Sequence, residues 1–164
     1  MLEVVALSPD DWRRWRELRL AALSEAPAAF GSTLAEWTGD GDAEVRWRAR
    51  LSSVPFNAII TCDGAPAGMV GATIVKDDDA INDGAVELLS MWVSPEFGGR
   101  GVGDATVHAV VDWAHVNYPH RAVVLSVKAA NHRAIDVYAR HGFVKVGESP
   151  DGAGEMLMRR EGEG

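Results

Sequence analysis

Four glycines and one arginine lie close together in residues 94–106, SPEFGGRGVGDAT, between two strongly apolar segments. Upstream, the segment GAVELLSMWV has the β-branched, leucine and aromatic content of an interior strand. Downstream, from Val102, apolar residues recur every three or four positions, which is typical of an amphipathic helix. The glycines therefore precede a helix N-terminus, where unpaired backbone N–H groups and the helix dipole favour an anion such as phosphate.

Two common phosphate-binding motifs match this loop incompletely. Gly98 and Gly103 have the glycine spacing of a triphosphate P-loop, but the acidic Asp104 stands where the lysine of that motif belongs. Gly101 and Gly103 begin a dinucleotide fingerprint, but Thr106 takes the place of its third glycine. A glycine-rich turn without a ligand is the alternative that this loop leaves open.

The chain has the composition of one folded domain. It has 164 residues, 47% of them hydrophobic, and no linker or repeat divides it, so we expect a single domain over residues 1–164. No apolar run approaches a membrane span, the N-terminus lacks signal-peptide features, and the lone Cys62 excludes an internal disulfide. We therefore expect a cytoplasmic protein with no membrane partner, and a homodimer is allowed. The formal net charge of -8 disfavours nucleic acid and favours cationic partners such as amines.

Periodicity and turn residues predict an alternation of strands and helices. A strand at LEVVAL precedes a helix that begins after Ser8, and a second helix covers AEVRWRARL. Two strands then meet at Asp63-Gly64, and KDDDAINDG at residues 76–84 is a polar turn without calcium-loop spacing. After the glycine loop and its helix come a strand at RAVVLSV, a helix capped by Asn131, and two closing strands. This order predicts an α/β architecture.

The order of elements and two motifs resemble the GNAT superfamily of N-acetyltransferases, from about Leu2 to Met158. The pyrophosphate signature of that family, Q/R-x-x-G-x-G/A, is similar to GGRGVG, with Gly101 and Gly103 at its last two fixed positions and Gly98 at the first. A second family block, N-x-x-A-x-x-x-Y-x-x-x-G-F, resembles NHRAIDVYARHGF. The resemblance implies a mixed, largely antiparallel sheet of about seven strands flanked by about four helices.

The resemblance also implies an activity, the transfer of an acetyl group from acetyl-CoA to a primary amine by direct attack in a ternary complex, with no metal. The acceptor is expected to be a small-molecule amine. A protein lysine or N-terminal amine, or a non-catalytic acyl-CoA-binding regulatory module, are the alternatives. The residues that the resemblance assigns to acetyl-CoA are Met91, Trp92, Val93, Gly98, Gly99, Arg100, Gly101, Val102, Gly103, Asp104 and Asn131.

Two side chains are candidates for the catalytic proton transfers. Tyr138, at the position of the family's tyrosine, would protonate the departing thiolate; the alternative is an aromatic that only fills the core. Glu87 would deprotonate the amine, and simple strand alternation puts it on one face with Leu89, Met91 and Val93. A structural ion pair for Glu87, with water as the base, is the alternative.

The segment EAPAAFGSTLAEW lies between the first two predicted helices, where the resemblance places one wall of the acceptor pocket. Phe30 and Trp37 would be apolar walls, and Glu25 or Glu36 would bind an ammonium group. No pair of histidines has a third ligand at a suitable spacing, so we expect no metal site.

Overall fold

The computed structural model describes residues 1–27, 30, 32–75, 84–149 and 154–162. Most of the polar turn predicted at residues 76–84 lies outside these ranges. The strands are β1 (Leu2–Ala6), β2 (Phe56–Cys62), β3 (Ala65–Ile74), β4 (Val86–Val93), β5 (Val123–Lys128), β6 (Val144–Glu148) and β7 (Glu155–Arg160). The helices are α1 (Trp12–Glu25), α2 (Glu44–Ser53), α3 (Val102–Asn117) and α4 (His132–Arg140).

The seven strands form one sheet in the order β1-β2-β3-β4-β5-β7-β6. Only the β4–β5 pair is parallel, and the other neighbours are antiparallel. Helices α1 and α2 cover one face through a core that includes Trp15 and Trp47. Helices α3 and α4 cover the other face through a core that includes Val107, Val110 and Tyr138. The predicted α/β fold with a mixed, largely antiparallel sheet is therefore confirmed. None of the helices in the described ranges is long and apolar enough to cross a membrane.

Local sequence signals explain several of the element boundaries. The β2–β3 hairpin turns at Asp63 and Gly64, which have φ values of 50° and 85°, as a tight two-residue turn requires. Helix α4 begins where Asn131 Oδ1 accepts a hydrogen bond from the backbone N–H of Ala134 at 3.3 Å. It ends before Gly142, whose φ of 87° stops the helix. These boundaries agree with the sequence-based predictions.

Strands β4 and β5 pair over a short stretch and then separate. The parallel register joins only Val86 to Val123 and Glu87 to Val124. Further along β4, the register with β3 shifts at Ser90, which has a left-handed φ of 57°. Such a bulge bends a strand and is frequent beside binding sites. The two strands therefore leave an opening between them at their carboxyl ends.

The bulge also corrects the face predicted for Glu87. Leu88 and Met91 both pack toward α3, although they are three positions apart and simple alternation would put them on opposite faces. Val93 packs toward α3 too. Trp92 packs toward α1 and α2. Glu87 therefore points to the same side as Trp92, and not to the side of Met91 and Val93. The prediction that Glu87 shares a face with Met91 and Val93 was wrong, because the extra residue at Ser90 reverses the alternation beyond Leu89.

Candidate active site

A cavity of about 880 Å³ opens between the separated parts of β4 and β5. The glycine loop lines one part of it, and the end of α1 lines another. Arg100 of the loop does not line it, since its Nη1 atom lies 3.9 Å from Cys62 Sγ and its guanidinium lies over the ring of Phe97. The predicted cofactor residues that do line the cavity are Met91, Trp92, Val93, Gly98, Gly99, Gly101, Val102, Gly103, Asp104 and Asn131.

The glycine loop gives α3 an N-terminus without a side-chain cap. Gly101, the N-cap residue, has a φ of 81° and no side chain with which to cap the first turn. A Cβ atom added at Gly101 would meet only Leu2, at 3.8 Å, and one added at Gly99 would meet nothing within 4 Å. The backbone N–H groups of the first turn therefore have access to the cavity, and the loop fits an anionic group such as a pyrophosphate.

The acidic residue of this loop is neutralised by two neighbours on α4 and just beyond it. Asp104 accepts hydrogen bonds from Arg140 Nη2 at 3.0 and 3.1 Å, and it lies 3.0 Å from His141 Nε2. Partial burial raises the pKa of Asp104, but the bonds from His141 and Arg140 outweigh it, so the pKa lies below its ordinary value. The Asp104 carboxylate is thus paired at neutral pH, which reduces its repulsion of a phosphate.

Tyr138 brings a hydroxyl group to the middle of the cavity. Tyr138 is 6% exposed, and both Tyr138 and Met91 line the cavity. The Tyr138 hydroxyl donates a hydrogen bond to the Met91 sulfur, with 3.2 Å between the oxygen and the sulfur. Burial raises the pKa of Tyr138 above its ordinary value, so the hydroxyl keeps its proton at neutral pH. A thioether is a weak acceptor, and a thiolate beside it would compete well for the same proton.

A family model described as the acetyltransferase (GNAT) family matches residues 11–143, which include the loop, the cavity strands and Tyr138. The chain belongs to this family. Enzymes of the GNAT family are acyltransferases that use acetyl-CoA as acetyl donor.

Three proteins illustrate the similarity. The N-acetylaspartate synthetase of Danio rerio is 33% identical over 114 residues, which are 70% of this chain and 38% of that relative. An acetyltransferase of the GNAT family from Streptococcus pneumoniae has a TM-score of 0.77 at 17% identity, covering 99% of this chain and 100% of the other. A phosphinothricin acetyltransferase from Sinorhizobium meliloti, solved with acetyl-CoA, has a TM-score of 0.75 at 18% identity, covering 98% and 88%. This chain thus spans well under half of the Danio rerio relative.

The part of the GNAT cavity that the end of α1 lines holds a carboxylate. Glu25, the last residue of α1, lines the cavity and accepts a 2.8 Å hydrogen bond from Nε1 of the buried Trp92. Phe30 also lines this end. A fixed carboxylate next to an aromatic ring is suited to an ammonium group.

The other predicted acceptor and base residues lie outside the lining of this cavity. Glu36 accepts bonds from the backbone N–H and hydroxyl of Thr33, both at 3.2 Å, within a capping box. The ring of Trp37 lies 4.4 Å from that of Trp47 in the core between α1 and α2. Glu87, in β4, lies opposite Thr73 and is half-buried. Glu87 is near the beginning of β4, away from the bulge, and its side chain is on the sheet face that α1 and α2 cover.

Sequence reasoning missed the role of Ser90 in shaping the site. This residue lines the cavity, produces the β4 bulge and accepts a 3.1 Å hydrogen bond from Arg50 Nη2. The available signal was a lone hydroxyl residue that interrupts the apolar run VELLSMWV. Among the residues that the structure describes, no three histidine, cysteine, aspartate or glutamate side chains come together as metal ligands.

Proposed function

We propose that this protein transfers the acetyl group of acetyl-CoA to the primary amine of a small molecule, by direct attack in a ternary complex. One observation carries the proposal: the uncapped N-terminus of α3, the Tyr138 hydroxyl and the Glu25 carboxylate all line a single cavity. An anion site, a proton donor and an ammonium site are the three groups that this reaction needs from the protein.

The donor would lie along β4, because the separated strand edge and the glycine loop are continuous in the cavity. The loop from Gly98 to Gly103 would bind the pyrophosphate through backbone N–H groups, and Asn131 would contact the cofactor arm. The backbone of Met91 and Val93 would hold the pantetheine arm and polarise the thioester carbonyl. Acetyl-CoA itself supplies an acetyl group activated as a thioester.

The acceptor would enter from the end of the cavity that holds Glu25. Its amine is mostly protonated at neutral pH, so it has to lose a proton before its nitrogen can attack the thioester carbon. As the new C–N bond forms, the C–S bond breaks and the sulfur leaves as a thiolate. Tyr138 would then donate its proton to that sulfur, and the second proton that the nitrogen loses as the amide forms would restore the tyrosine hydroxyl.

The amine proton needs a base, and two carboxylates are candidates. Glu25 lines the cavity, and we propose that it binds the acceptor ammonium. Glu87 stays the predicted base, because the bulge turns it toward the face covered by α1 and α2, the side on which Glu25 lies. A water molecule between Glu87 and the amine would complete the path.

A small acceptor is favoured by the shape of the site. The cavity is concave and is lined at its acceptor end by the end of α1 and by Phe30, a shape that suits a small molecule. The name of one relative, N-acetylaspartate synthetase, also refers to a small molecule.

The test is a thiol-release assay with acetyl-CoA and a panel of amino acids, polyamines, aminoglycosides and lysine peptides. Activity with a small amine is expected, and mass spectrometry of the product should show one added acetyl group. Retention of the protein on immobilised CoA, but not on immobilised NAD, is the matched binding experiment. CoA retention without acetylation of any amine would indicate a non-catalytic acyl-CoA-binding module instead.

A further inference from the structure

Two arginines, one buried and one half-buried, lie on the acceptor side of the sheet, near enough for the charge of one to lower the pKa of the other. Arg19 of α1 is 8% exposed, and Arg50 of α2 is half-buried. Burial lowers the pKa of Arg19 to about 10, and burial together with the nearby charge of Arg19 lowers the pKa of Arg50 to about 10. Both side chains are still charged at neutral pH, so two positive charges lie inside a protein whose formal net charge is -8.

Neither guanidinium forms an ion pair with a carboxylate of the described residues. Nη1 of Arg19 is buried without a hydrogen-bond partner among these residues, and the guanidinium lies 4.6 Å from the centroid of the Phe30 ring. Arg50 donates to the neutral oxygens of Asn57, at 2.7 Å, and Ser90, at 3.1 Å. A buried cation without an anion is costly, and an unused buried donor adds to that cost. The arrangement is therefore explained best by an anion that binds there.

The two arginines are one side chain away from the cavity. Phe30, which lies under Arg19, and Ser90, which accepts from Arg50, both line the cavity. Because the Ser90 oxygen accepts from Arg50, its own hydrogen is available to donate to a ligand. The left-handed bulge holds Ser90 in this position in β4. The two guanidiniums therefore place positive charge beside the part of the cavity that Phe30 and Ser90 line, and Glu25 lines the same cavity.

We propose that the acceptor is an amine that also carries a carboxylate, such as an amino acid, and that its carboxylate binds between Ser90 and Phe30, against Arg19 and Arg50. This inference rests on the proposed acetyltransferase function and specifies its acceptor class. Glu25 would bind the ammonium group and the arginines the carboxylate, so the site carries both charges of a zwitterion. Arginine is suited to this role because its guanidinium keeps its charge at neutral pH even when it is buried.

The experiment compares amines in matched pairs that differ by one carboxylate: L-leucine with isopentylamine, L-lysine with cadaverine, and L-phenylalanine with phenethylamine. We expect kcat/KM to be at least roughly tenfold higher for the amino acid of a pair that is turned over, because the plain amine leaves the buried cations uncompensated. Equal or higher kcat/KM for the plain amines would overturn the proposal.

The variant Arg19→Met keeps the length of the side chain and removes the unpaired charge. It should raise KM for the amino acid roughly 10- to 100-fold, because it removes a buried positive charge close to the carboxylate, and leave KM for the plain amine unchanged. It should fold at least as well as the original, since it buries no charge. Arg14→Met, an exposed position on the same helix, is the matched control and should change neither KM. Ser90→Ala tests the same site from the strand side.

A binding measurement separates this inference from the proposed function. Succinate carries carboxylates but no amine, so it should raise the Tm of the original protein and of Arg14→Met above that in chloride at equal ionic strength, and not that of Arg19→Met. If no amine is acetylated, the proposed function fails while the succinate result still decides the anion site. An equal response to succinate in Arg19→Met, or none in the original protein, would overturn the site.

Discussion

Nε1 of Trp92 donates a 2.8 Å hydrogen bond to the carboxylate of Glu25, and this bond ties the end of α1 to β4 beside the cavity. Trp92 is 8% exposed, so its N–H group has little access to water and depends on this acceptor. The bond fixes one oxygen of Glu25 and leaves the other available to the cavity. The acceptor end of the site is therefore held by a bond between a helix terminus and a strand.

Replacement of Glu25 and Glu87 by glutamine should distinguish an ammonium site from a base. Activity should rise with pH, since the acceptor amine is mostly protonated at neutral pH. If Glu25 only binds the ammonium group, Glu25→Gln should raise the acceptor KM and leave kcat nearly unchanged. If Glu87 is the base, Glu87→Gln should lower kcat by roughly 10² to 10⁴ with little effect on acetyl-CoA affinity.

The two variants act as controls for each other in pH profiles of kcat and kcat/KM. A loss of kcat in Glu25→Gln, with Glu87→Gln unaffected, would transfer the role of base to Glu25. If both variants keep the original rate and profile, the amine loses its proton to water without either carboxylate.

Substitution of the loop glycines should separate cofactor binding from backbone strain. Gly101→Ala and Gly64→Ala each place a side chain at positive φ, at 81° and 85°, and each should lose about 1–2 kcal/mol of stability. Only Gly101→Ala should weaken acetyl-CoA binding by more than about 1 kcal/mol, because only Gly101 lines the cavity. Calorimetry of both folded variants with acetyl-CoA measures this difference, and equal affinities would reject the loop as the pyrophosphate site.

Gly103 offers a second test of the same loop. A Cβ atom there would make only ordinary contacts, the nearest at 3.7 Å to Val137, and alanine favours a helix by up to about 1 kcal/mol over glycine. Gly103→Ala should therefore be as stable as the original or more so. If the backbone approaches the pyrophosphate at this position, the same variant should bind acetyl-CoA roughly tenfold more weakly. A stable variant with unchanged affinity would mean that the phosphate lies elsewhere on the loop.

Features with a local cause could be predicted from the sequence. Asn131 and Gly142 limit α4 through their own backbone and side-chain preferences, so the motif alone is sufficient to place the helix. The position of Glu36 also had a local signal that was overlooked. Thr33 and Glu36 have the spacing of a capping box, which engages the Glu36 carboxylate at the start of a turn.

Features that depend on packing between distant segments could not be predicted in this way. The bulge at Ser90 reverses the faces of β4, and nothing in simple alternation indicates where an extra residue enters a strand. Arg19 and Arg50 lie on different helices, and each alone has the sequence context of an exposed helical arginine. They come close together because of how α1 and α2 pack on the sheet. The pattern of apolar residues in each helix does not indicate which residues of the two helices will be neighbours.

The link between α1 and α2 should make the protein sensitive to acid. Asp42 accepts hydrogen bonds from Arg16 Nε at 2.7 Å and from Trp47 Nε1 at 2.8 Å, and these bonds lower its pKa from 3.8 to about 2. Its folded pKa is below its unfolded pKa, so its stabilisation is complete above about pH 4 and is lost as the pH falls toward 2.

Asp42→Asn should therefore have a lower free energy of unfolding than the original protein at neutral pH. This gap in free energy should disappear between pH 4 and pH 2. Urea unfolding at several pH values measures this gap. Asp40→Asn changes an exposed carboxylate in the same turn and should leave the acid dependence of stability unchanged. A gap for Asp42→Asn that stays constant down to pH 2 would contradict the role assigned to these bonds.

Tyr138→Phe separates a catalytic hydroxyl from a ring that fills the core. The ring packs against Phe143, with centroids 6.0 Å apart, and the substitution keeps this contact. The lost bond from Oη to the Met91 sulfur is weak, so stability should change by about 1 kcal/mol or less. If the hydroxyl protonates the thiolate, the variant should bind acetyl-CoA normally and lose roughly 10² in kcat, where chemistry limits the rate.

The nature of the leaving thiol gives the control for this last prediction. A donor analogue with a less basic thiolate depends less on proton donation. The loss of kcat in Tyr138→Phe, which we call the deficit, should therefore be smaller with that analogue than with acetyl-CoA. Tyr118→Phe, the same change at the other tyrosine of the chain, should lose no activity with either donor, because Tyr118 packs against Trp113 outside the cavity. An equal deficit of Tyr138→Phe with both donors, or no deficit at all, would leave Tyr138 as a core residue of α4.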